Sequence, residues 1–533
     1  MEEIRNLREL LYKSEEKFSE RTAFLWKNEK GEVKSVTYGQ FKSDAEALAK
    51  ALIKRGYKDK KIALCGKNSY EWCLSYLAVV CFVGVIVPLD KELPGDELMN
   101  VLQFSECDAF IGDKNALSKV NSEGNEPFIL SMETDLEELI REGESLGDEL
   151  ISGNIDEEKM SVLLFTSGTT GVMKGVMLSQ KNICSDLMGV HPCIEANEND
   201  RSLSVLPLHH TYECIAFLMI IYCGGSVAFS GGVRTLRDDF ASFRPTVLVC
   251  VPLLLERFHK LILKKMTDEG KRKKAQLITG LSGIISEENR RKIFSDIHSF
   301  FGGSLQKIVV GAAALNEAVA KDFAAFGFKL IIGYGLTECS PIVICNSVED
   351  ISLNSIGKPL SNVQVKIEGV SEDGVGEICV KGPMVMLGYY KNKEETDKVM
   401  KNGWFYTGDL GYKDRYGNYH ITGRSKNVIV TRNGKNIYPE ELEFYLLRHR
   451  IIKEAIVTSE RGDIITAHIF PDENEIAKKL RKDTVTSAEV KKAITQAIRD
   501  VNKRIPSYKN IRDTVIRKEE FSKTTTHKIK RHQ

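Results

Sequence analysis

Apolar and polar positions in the first part of the chain switch repeatedly between two periods. Ile4, Leu7, Leu10 and Leu11 recur at helical spacing among charged neighbours, and residues 38–55 repeat the pattern, so both stretches are expected to be helices. Residues 61–64 and 85–89 are short apolar runs of strand type. The alternation over residues 22–113 predicts βαβ units in a parallel sheet. The rhythm resumes at 202–206, 246–251, 307–310 and 329–332, each run leading into a polar or Gly-containing turn. In open α/β sheets, ligands sit at such turns.

Residues 72–89 form the most apolar stretch and approach the ~20 residues of a membrane span, but Gly84 and Pro88 interrupt it. A helix followed by a strand is expected instead. Beyond Ile356 the texture changes to short strands and Gly turns, at 363–367, 376–381 and 417–421, which predicts antiparallel β structure. With a boundary at 422–426, the remainder carries strand candidates 454–458 and 464–469, a helix over 488–504 and a lysine-rich end. The expected fold class is α/β. A large N-terminal domain, residues 1–424, holds βαβ-type sheets packed with helices plus a β-rich subdomain, and a small α+β domain occupies 425–533.

Composition narrows the function. At 533 residues with 42% hydrophobic and 28% charged side chains, the chain can bury a large core and is neither disordered nor fibrous. Lys and Arg number 75 against 74 Asp and Glu, so a net charge of +1 gives no global reason to expect nucleic acid, and any basic site is local. The 12 cysteines form no CxxC pair and none follows Cys379, which points to reduced thiols in a cytoplasm rather than a disulfide framework or zinc cluster. The charged N-terminus lacks the apolar centre of a secretory signal, so no export is expected.

The sharpest local signal is Ser161-Val-Leu-Leu-Phe-Thr-Ser-Gly-Thr-Thr-Gly-Val-Met-Lys-Gly-Val176, an apolar strand entering a loop of small residues. Gly168, Gly171 and Gly175 let backbone N–H groups face an anion, Thr166, Ser167, Thr169 and Thr170 add hydroxyls, and Lys174 adds charge. The spacing is not that of Walker A, yet the chemistry is that of a polyphosphate cradle. A second element, Gly333-Tyr-Gly-Leu-Thr-Glu338, offers an aromatic face for a base, a hydroxyl for phosphate and a carboxylate for Mg²⁺. In a third, Gly403-Trp-Phe-Tyr-Thr-Gly-Asp-Leu-Gly411, the Asp409 carboxylate is placed at a Gly-flanked turn where it can accept both hydroxyls of a ribose. Gly423-Arg424, Gly434-Lys-Asn-Ile-Tyr-Pro-Glu-Glu-Leu-Glu443 and Ser522-Lys-Thr-Thr-Thr-His-Lys-Ile-Lys-Arg531 follow.

In this order, the motifs resemble the adenylate-forming (AMP-binding) superfamily of acyl-CoA synthetases, peptide-synthetase adenylation domains and firefly-type luciferases, over nearly the whole chain. The resemblance implies a two-step reaction. A carboxylate attacks the α-phosphate of ATP to give an acyl-adenylate and pyrophosphate, and a thiol, usually of coenzyme A, then displaces AMP. It implies that residues 166–174 cradle the β- and γ-phosphates, that Tyr334, followed by Gly335, stacks on adenine, and that Gly311, Ala312 and Ala313 line its other side. Thr337 would bond the α-phosphate, Glu338 would help hold Mg²⁺, Asp409 would bind ribose and Arg424 would contact ribose or phosphate. Lys528 would bridge the two reacting anions, a task suited to a compact ammonium on a flexible stem. Lys426 matches a hinge about which the C-terminal domain would rotate, after which Gly434 would line the pantetheine channel. His210 matches a position bordering the acyl site, with packing as the equal alternative; His209 has no assignment.

Residues 206–213, 251–260 and 429–437 are most similar to the bacterial long-chain fatty acyl-CoA synthetase branch, which implies a fatty acid substrate with ATP, Mg²⁺ and coenzyme A. The alternatives are loading of an acyl-carrier-protein thiol and a non-catalytic nucleotide-binding regulator. The basic run 264–274 suggests at most peripheral contact of a cytoplasmic protein with the inner face of a membrane. Three positions depart from the family pattern: Met173 and Ser522 stand where proline is common, and His527 stands where glycine is usual.

Overall fold

The computed structural model describes residues 3–120, 128–167, 173–268, 285–431, 435–460, 464–523, 529 and 531. Its first helix, Leu7–Phe18, starts at Asn6, whose side chain accepts the Glu9 N–H. Leu7, Leu10 and Leu11 face inward as the spacing predicts, and Ile4 is buried ahead of the cap. The same logic starts helix Tyr38–Lys54 at Thr37 and helix Tyr70–Ala78 at Ser69. The apolar stretch of residues 72–89 becomes the end of that last helix, a π-helical turn Val79–Val83 and strand Val85–Leu89. Among the described residues, no helix is long and apolar enough to cross a membrane. All 12 cysteines are free.

The chain divides into two compact units, one comprising Met1–Gln364 and Val380–Phe405, the other Val365–Cys379 and Tyr406–Gln533. The first unit contains two large mixed sheets. A nine-stranded sheet runs in the order Lys358–Pro359, Ile342–Cys345, Lys329–Gly335, Lys307–Val310, Val247–Cys250, Arg201–Ser204, Ser226–Phe229, Thr22–Lys27 and Val33–Thr37, with antiparallel strands at its edges and six parallel strands between. A seven-stranded sheet runs Gly388–Tyr389, Met173–Ser179, Met160–Ser167, Val85–Leu89, Lys61–Cys65, Ala109–Gly112 and Phe128–Ser131. Its last five strands are parallel, the βαβ texture read from the sequence.

Behind the nine-stranded sheet lies a phenylalanine-rich core in which Phe240 meets Phe301 at 5.2 Å and Phe301 meets Phe328 at 5.5 Å, both edge-to-face. Each such buried ring contributes about 2 kcal/mol through burial, with more from ring geometry. The core anchors Lys307–Val310 and Lys329–Gly335, so the residues just beyond these strands emerge from a rigid platform.

The second unit contains an antiparallel sheet of Gln364–Glu368, Gly376–Lys381, Trp404–Lys413 and Tyr419–Arg424. It continues with a three-stranded sheet, Ile452–Glu460, Ile464–Pro471 and Asp513–Ile516, packed with helices Pro439–Leu447, Glu473–Leu480 and Ser487–Asn502. Thr486 and Glu489 form a capping box that starts the last helix, which buries Val490, Ile494, Ala497 and Ile498 against the strands. The α/β class with an antiparallel subdomain and a C-terminal α+β fold is thus present in the protein.

Candidate active site

Strands Met160–Ser167 and Met173–Ser179 form an antiparallel pair with Thr166 opposite Lys174 and Ser167 opposite Met173. Gly168, Thr169, Thr170 and Gly171 lie outside the described residues. Met173 is the first residue of its strand, a position that tolerates proline or any other residue. The Lys174 ammonium lies 2.5 Å from Glu395 Oε2 and 4.8 Å above the centre of the Tyr389 ring. Hydrogen bonds from Lys174 and Lys398 hold the Glu395 carboxyl down at about 2.

The Tyr389 hydroxyl donates to Glu338 Oε1 at 2.8 Å. Burial, reinforced by the Glu338 charge, pushes the phenol upward, so it remains a donor. Glu338 occupies the 3₁₀ turn Thr337–Cys339, which packs against strand Met173–Ser179, and its carbonyl accepts the Met386 N–H at 2.8 Å. The expected phosphate lysine and the expected metal carboxylate are therefore bridged by one tyrosine. Among the described residues, no group of three His, Cys, Asp or Glu could cage a metal. A single hard carboxylate beside a hairpin expected to bind phosphate fits Mg²⁺, which takes most of its ligands from phosphates and water.

Sequence reasoning missed Tyr389 and Glu395. The only local trace of Tyr389 is the dipeptide Gly388-Tyr389, a two-residue strand on the edge of Met173–Ser179 and too short for any periodicity.

Tyr334, 8% exposed, is the penultimate residue of strand Lys329–Gly335, where that strand also pairs antiparallel with Ile342–Cys345. Gly311 follows the neighbouring parallel strand Lys307–Val310, and a Cβ on it would stand 3.4 Å from the Gly333 carbonyl and 3.2 Å from the Tyr212 ring. Ala312 has φ +69°, a left-handed conformation that a residue with a Cβ adopts only where its surroundings impose it. Gly335 is obligatory, because a Cβ there would lie 1.7 Å from the Pro341 carbonyl oxygen. Gly311 and Gly333 therefore lie side by side beyond the parallel pairing of two interior strands, with Tyr334 next in the chain, and Tyr212 brings the segment after His210 to them.

His210 caps helix Thr211–Tyr222, and its ring centre lies 4.1 Å from that of His209. His209 is buried 3.7 Å from Asp90, and burial, with the neighbouring His210, pushes it down to about 3, which makes it a neutral packing residue at ordinary pH. One turn on, Glu213 is buried and pushed up to about 8 by desolvation, against the pull of hydrogen bonds from Ser204 and the Leu206 N–H.

In the second unit, Asp409 and Arg424 stand opposite each other on paired strands, with Arg424 Nε 2.6 Å from Asp409 Oδ1. Asp409 is 4% exposed, so its carboxylate is fixed in direction. Lys426 lies in the 3₁₀ turn Ser425–Asn427, and Asn427 donates to Glu440 Oε1 at 2.5 Å. Gly434, His527 and Lys528 lie outside the described residues, while Ser522, where proline is common, leads into the bridged residue Lys523.

A family model described as "AMP-binding enzyme" matches residues 11–390, and one described as "AMP-binding enzyme C-terminal domain" matches 426–533. The chain is 30% identical over 551 aligned residues to long-chain-fatty-acid–CoA ligase 5 of Rattus norvegicus, an alignment covering 92% of this chain and 80% of that protein. It is 28% identical over 571 aligned residues, 90% of this chain and 78% of the other, to a chloroplastic long-chain-fatty-acid–[acyl-carrier-protein] ligase of Arabidopsis thaliana. In fold it matches o-succinylbenzoate coenzyme A synthetase from Bacillus subtilis, solved with ATP and magnesium ion, with a TM-score of 0.73, 22% identity and 98% of each chain covered. A Mycobacterium tuberculosis fatty acyl CoA synthetase matches with a TM-score of 0.69 and 21% identity over 98% of this chain and 96% of that one.

Proposed function

Because the chain belongs to the AMP-binding enzyme family of adenylate-forming ligases, we propose that it activates a medium- or long-chain fatty acid, first to the acyl-adenylate and then to the acyl-CoA. The observation carrying the fatty acid reading is the alignment to a long-chain ligase over 92% of the chain. A carboxylate oxygen attacks the α-phosphorus of ATP, the bond to the β-phosphate oxygen breaks and pyrophosphate leaves. The thiol sulfur then attacks the acyl carbonyl carbon, and AMP departs with the former carboxylate oxygen.

Both steps bring anions together, so the protein's task is alignment and charge neutralisation. In this reading Thr166 to Lys174 hold the β- and γ-phosphates, with Lys174 exchanging Glu395 for phosphate oxygen. Tyr334 and the 311–313 turn sandwich adenine, Thr337 bonds the α-phosphate, and Glu338, steadied by Tyr389, holds Mg²⁺. When bound, that ion neutralises charge on the phosphate oxygens. Asp409 takes the ribose hydroxyls, Arg424 contacts ribose or phosphate, and Lys528 supplies the cation for adenylation. Residues 425–533 act as a mobile domain hinged at Lys426, with Gly434 serving the thioester step. His210 borders the acyl group. In the same reading the protein is cytoplasmic, with at most peripheral membrane contact through the basic run, of which Lys264 and Lys265 lie on helix Pro252–Asp268 and 269–274 lie outside the described residues.

Incubation with ATP, Mg²⁺ and acids from C2 to C18, with and without coenzyme A, tests the assignment through pyrophosphate exchange and thioester formation. Exchange confined to fatty acids, with thioester appearing only with coenzyme A, is expected. Absence of exchange with every acid would leave a nucleotide-binding regulator. The Arabidopsis relative supports a second reading, in which a carrier-protein thiol replaces coenzyme A, and the same assay with an acyl-carrier protein separates the two.

A further inference from the structure

Between strand Arg201–Ser204 and helix Thr211–Tyr222 the chain turns a corner at residues 205–210, and this corner carries His209 and His210. It leaves the nine-stranded sheet at the carboxyl end of a parallel strand, where open α/β sheets place their ligands. Among the described residues, the corner's own backbone supplies one turn bond, from the His210 N–H to the Pro207 carbonyl at 3.1 Å.

Side chains outside the corner supply the rest. Asn68 donates through Nδ2 to the Leu206 carbonyl at 2.6 Å and to Ser204 Oγ at 2.9 Å, and its Oδ1 accepts the Leu208 N–H at 3.1 Å. Glu213 accepts from Ser204 and from the Leu206 N–H. Asn68 is itself firmly placed, because it follows strand Lys61–Cys65 of the seven-stranded sheet. On one side of it the Lys67 N–H donates to Asp113 Oδ2 at 2.8 Å, and on the other Ser69 caps helix Tyr70–Ala78. One amide therefore reaches from a strand–helix junction of one sheet to three residues leading into His209 and His210 on the other. Both of its N–H donors are used there, which leaves Asn68 to act through the corner. Beyond the corner, the Tyr212 hydroxyl donates to the Val309 carbonyl at 3.1 Å and ties the start of the helix to strand Lys307–Val310 independently of Asn68.

We infer that Asn68 is a positioning residue for the acid substrate, holding the 205–210 corner in the arrangement in which His210 borders the acyl group. This rests on the reading that His210 borders that group. A corner released from three hydrogen bonds samples other turns, and a ligand that needs one arrangement then binds more weakly in proportion to the fraction of molecules that keep it. The tie through Tyr212 to the strand before Gly311 survives, so ATP binding is spared.

The test compares Asn68→Asp, Asn68→Ala, His210→Ala and the double variant Asn68→Asp/His210→Ala in the full-length protein. Asp has the shape of Asn and keeps the acceptor for Leu208 but lacks both donors; Ala removes all three bonds without adding charge. Pyrophosphate exchange is measured at varied ATP and at varied concentrations of the C2 to C18 acid that the parent uses best, together with melting temperature. Each Asn68 variant is expected to raise KM for the acid about tenfold, with kcat and KM for ATP within about threefold of the parent. His210→Ala is expected to raise KM for the acid as well, and in that background Asn68→Asp should change it by less than about twofold. Parental KM values in both Asn68 variants beside a weakened His210→Ala overturn the positioning role alone. Parental acid kinetics in His210→Ala overturn the placement of His210 and the inference with it, whereas absence of exchange with every acid in the parent overturns the adenylation reading beneath both. Acid and ATP KM values rising together, an Asn68→Asp effect undiminished without His210, or failure of both Asn68 variants to fold overturns the inference in favour of general stabilisation.

Discussion

Glu213 is a place where burial and charge conflict openly, and Glu213→Gln isolates the cost. Its side chain is 2% exposed, and its Oε2 has no hydrogen-bond partner among the described residues. Desolvation raises the carboxyl to about 8 from an ordinary value of 4.5. An acid whose folded value is raised gives its full stabilisation below the unfolded value and loses it as pH climbs towards the folded one. At roughly 1.4 kcal/mol per pH unit, that loss reaches about 3 kcal/mol at pH 7. Gln has nearly the same shape, keeps an acceptor for Ser204 and Leu206, and does not titrate. The first unit contains about 390 residues, so at about 2.1 cal/mol/K per residue, 3 kcal/mol corresponds to about 4 °C. Paired calorimetric scans of variant and parent at pH 5 and pH 8 are expected to show a gap near zero at the lower pH and about 4 °C or more, in favour of the variant, at the higher. A gap of equal size at both values would refute the reasoning, because a packing change alone does not depend on pH.

Three further outcomes follow from the first unit. Glu395→Gln frees Lys174 from a partly exposed pair worth at most about 1 kcal/mol, so KM for ATP should fall by roughly two- to fivefold with kcat little changed, as read by pyrophosphate exchange. Glu338→Gln should raise the Mg²⁺ concentration for half-maximal exchange by about tenfold while the melting temperature stays within about a degree of the parent. Gly335→Ala places a methyl 1.7 Å from a backbone oxygen, so the strand has to move. A loss of about 3 kcal/mol or more, visible as a lowered melting temperature or insoluble protein, is expected.

The elements most legible in the sequence were those whose apolar residues repeat within one short window. Strands Lys307–Val310 and Val85–Leu89 begin and end where their side chains said they would. Strand 202–206 was overextended: the strand is Arg201–Ser204, and the Leu206 carbonyl turns instead to accept from Asn68 Nδ2 at 2.6 Å. Strand 329–332 was cut short, because pairing with Ile342–Cys345 carries it through Tyr334 to Gly335. The first difference comes from a partner 138 residues away and the second from the next strand, 7 to 12 residues on, neither of which lies inside the apolar run itself. The network around Lys174 fails to announce itself for the same reason, since Glu395 lies 221 residues away and contributes a side chain from a short surface helix, Lys393–Val399.

Four described cations of the sequence motifs are each met by an acid: Lys174 by Glu395, Arg424 by Asp409, Lys523 by Glu454 and Arg531 by Glu443. A protein that works on polyanions needs local positive charge, yet unpaired cations would repel one another whenever the ligand is absent. Pairing each of these four with a carboxylate reconciles the two demands. The pairs are not equivalent. Glu395 has a side chain 30% exposed, so water replaces a lost partner cheaply and the pair with Lys174 costs little to open. Glu443 and Glu454 have side chains 11% and 8% exposed, so losing the cation would strand a charge away from water. Accessibility of the acid therefore separates pairs that water can replace cheaply from pairs that resist opening. In the primary sequence Lys523 and Arg531 belong to one basic tail, and the structure commits both of them to acids that are mostly buried.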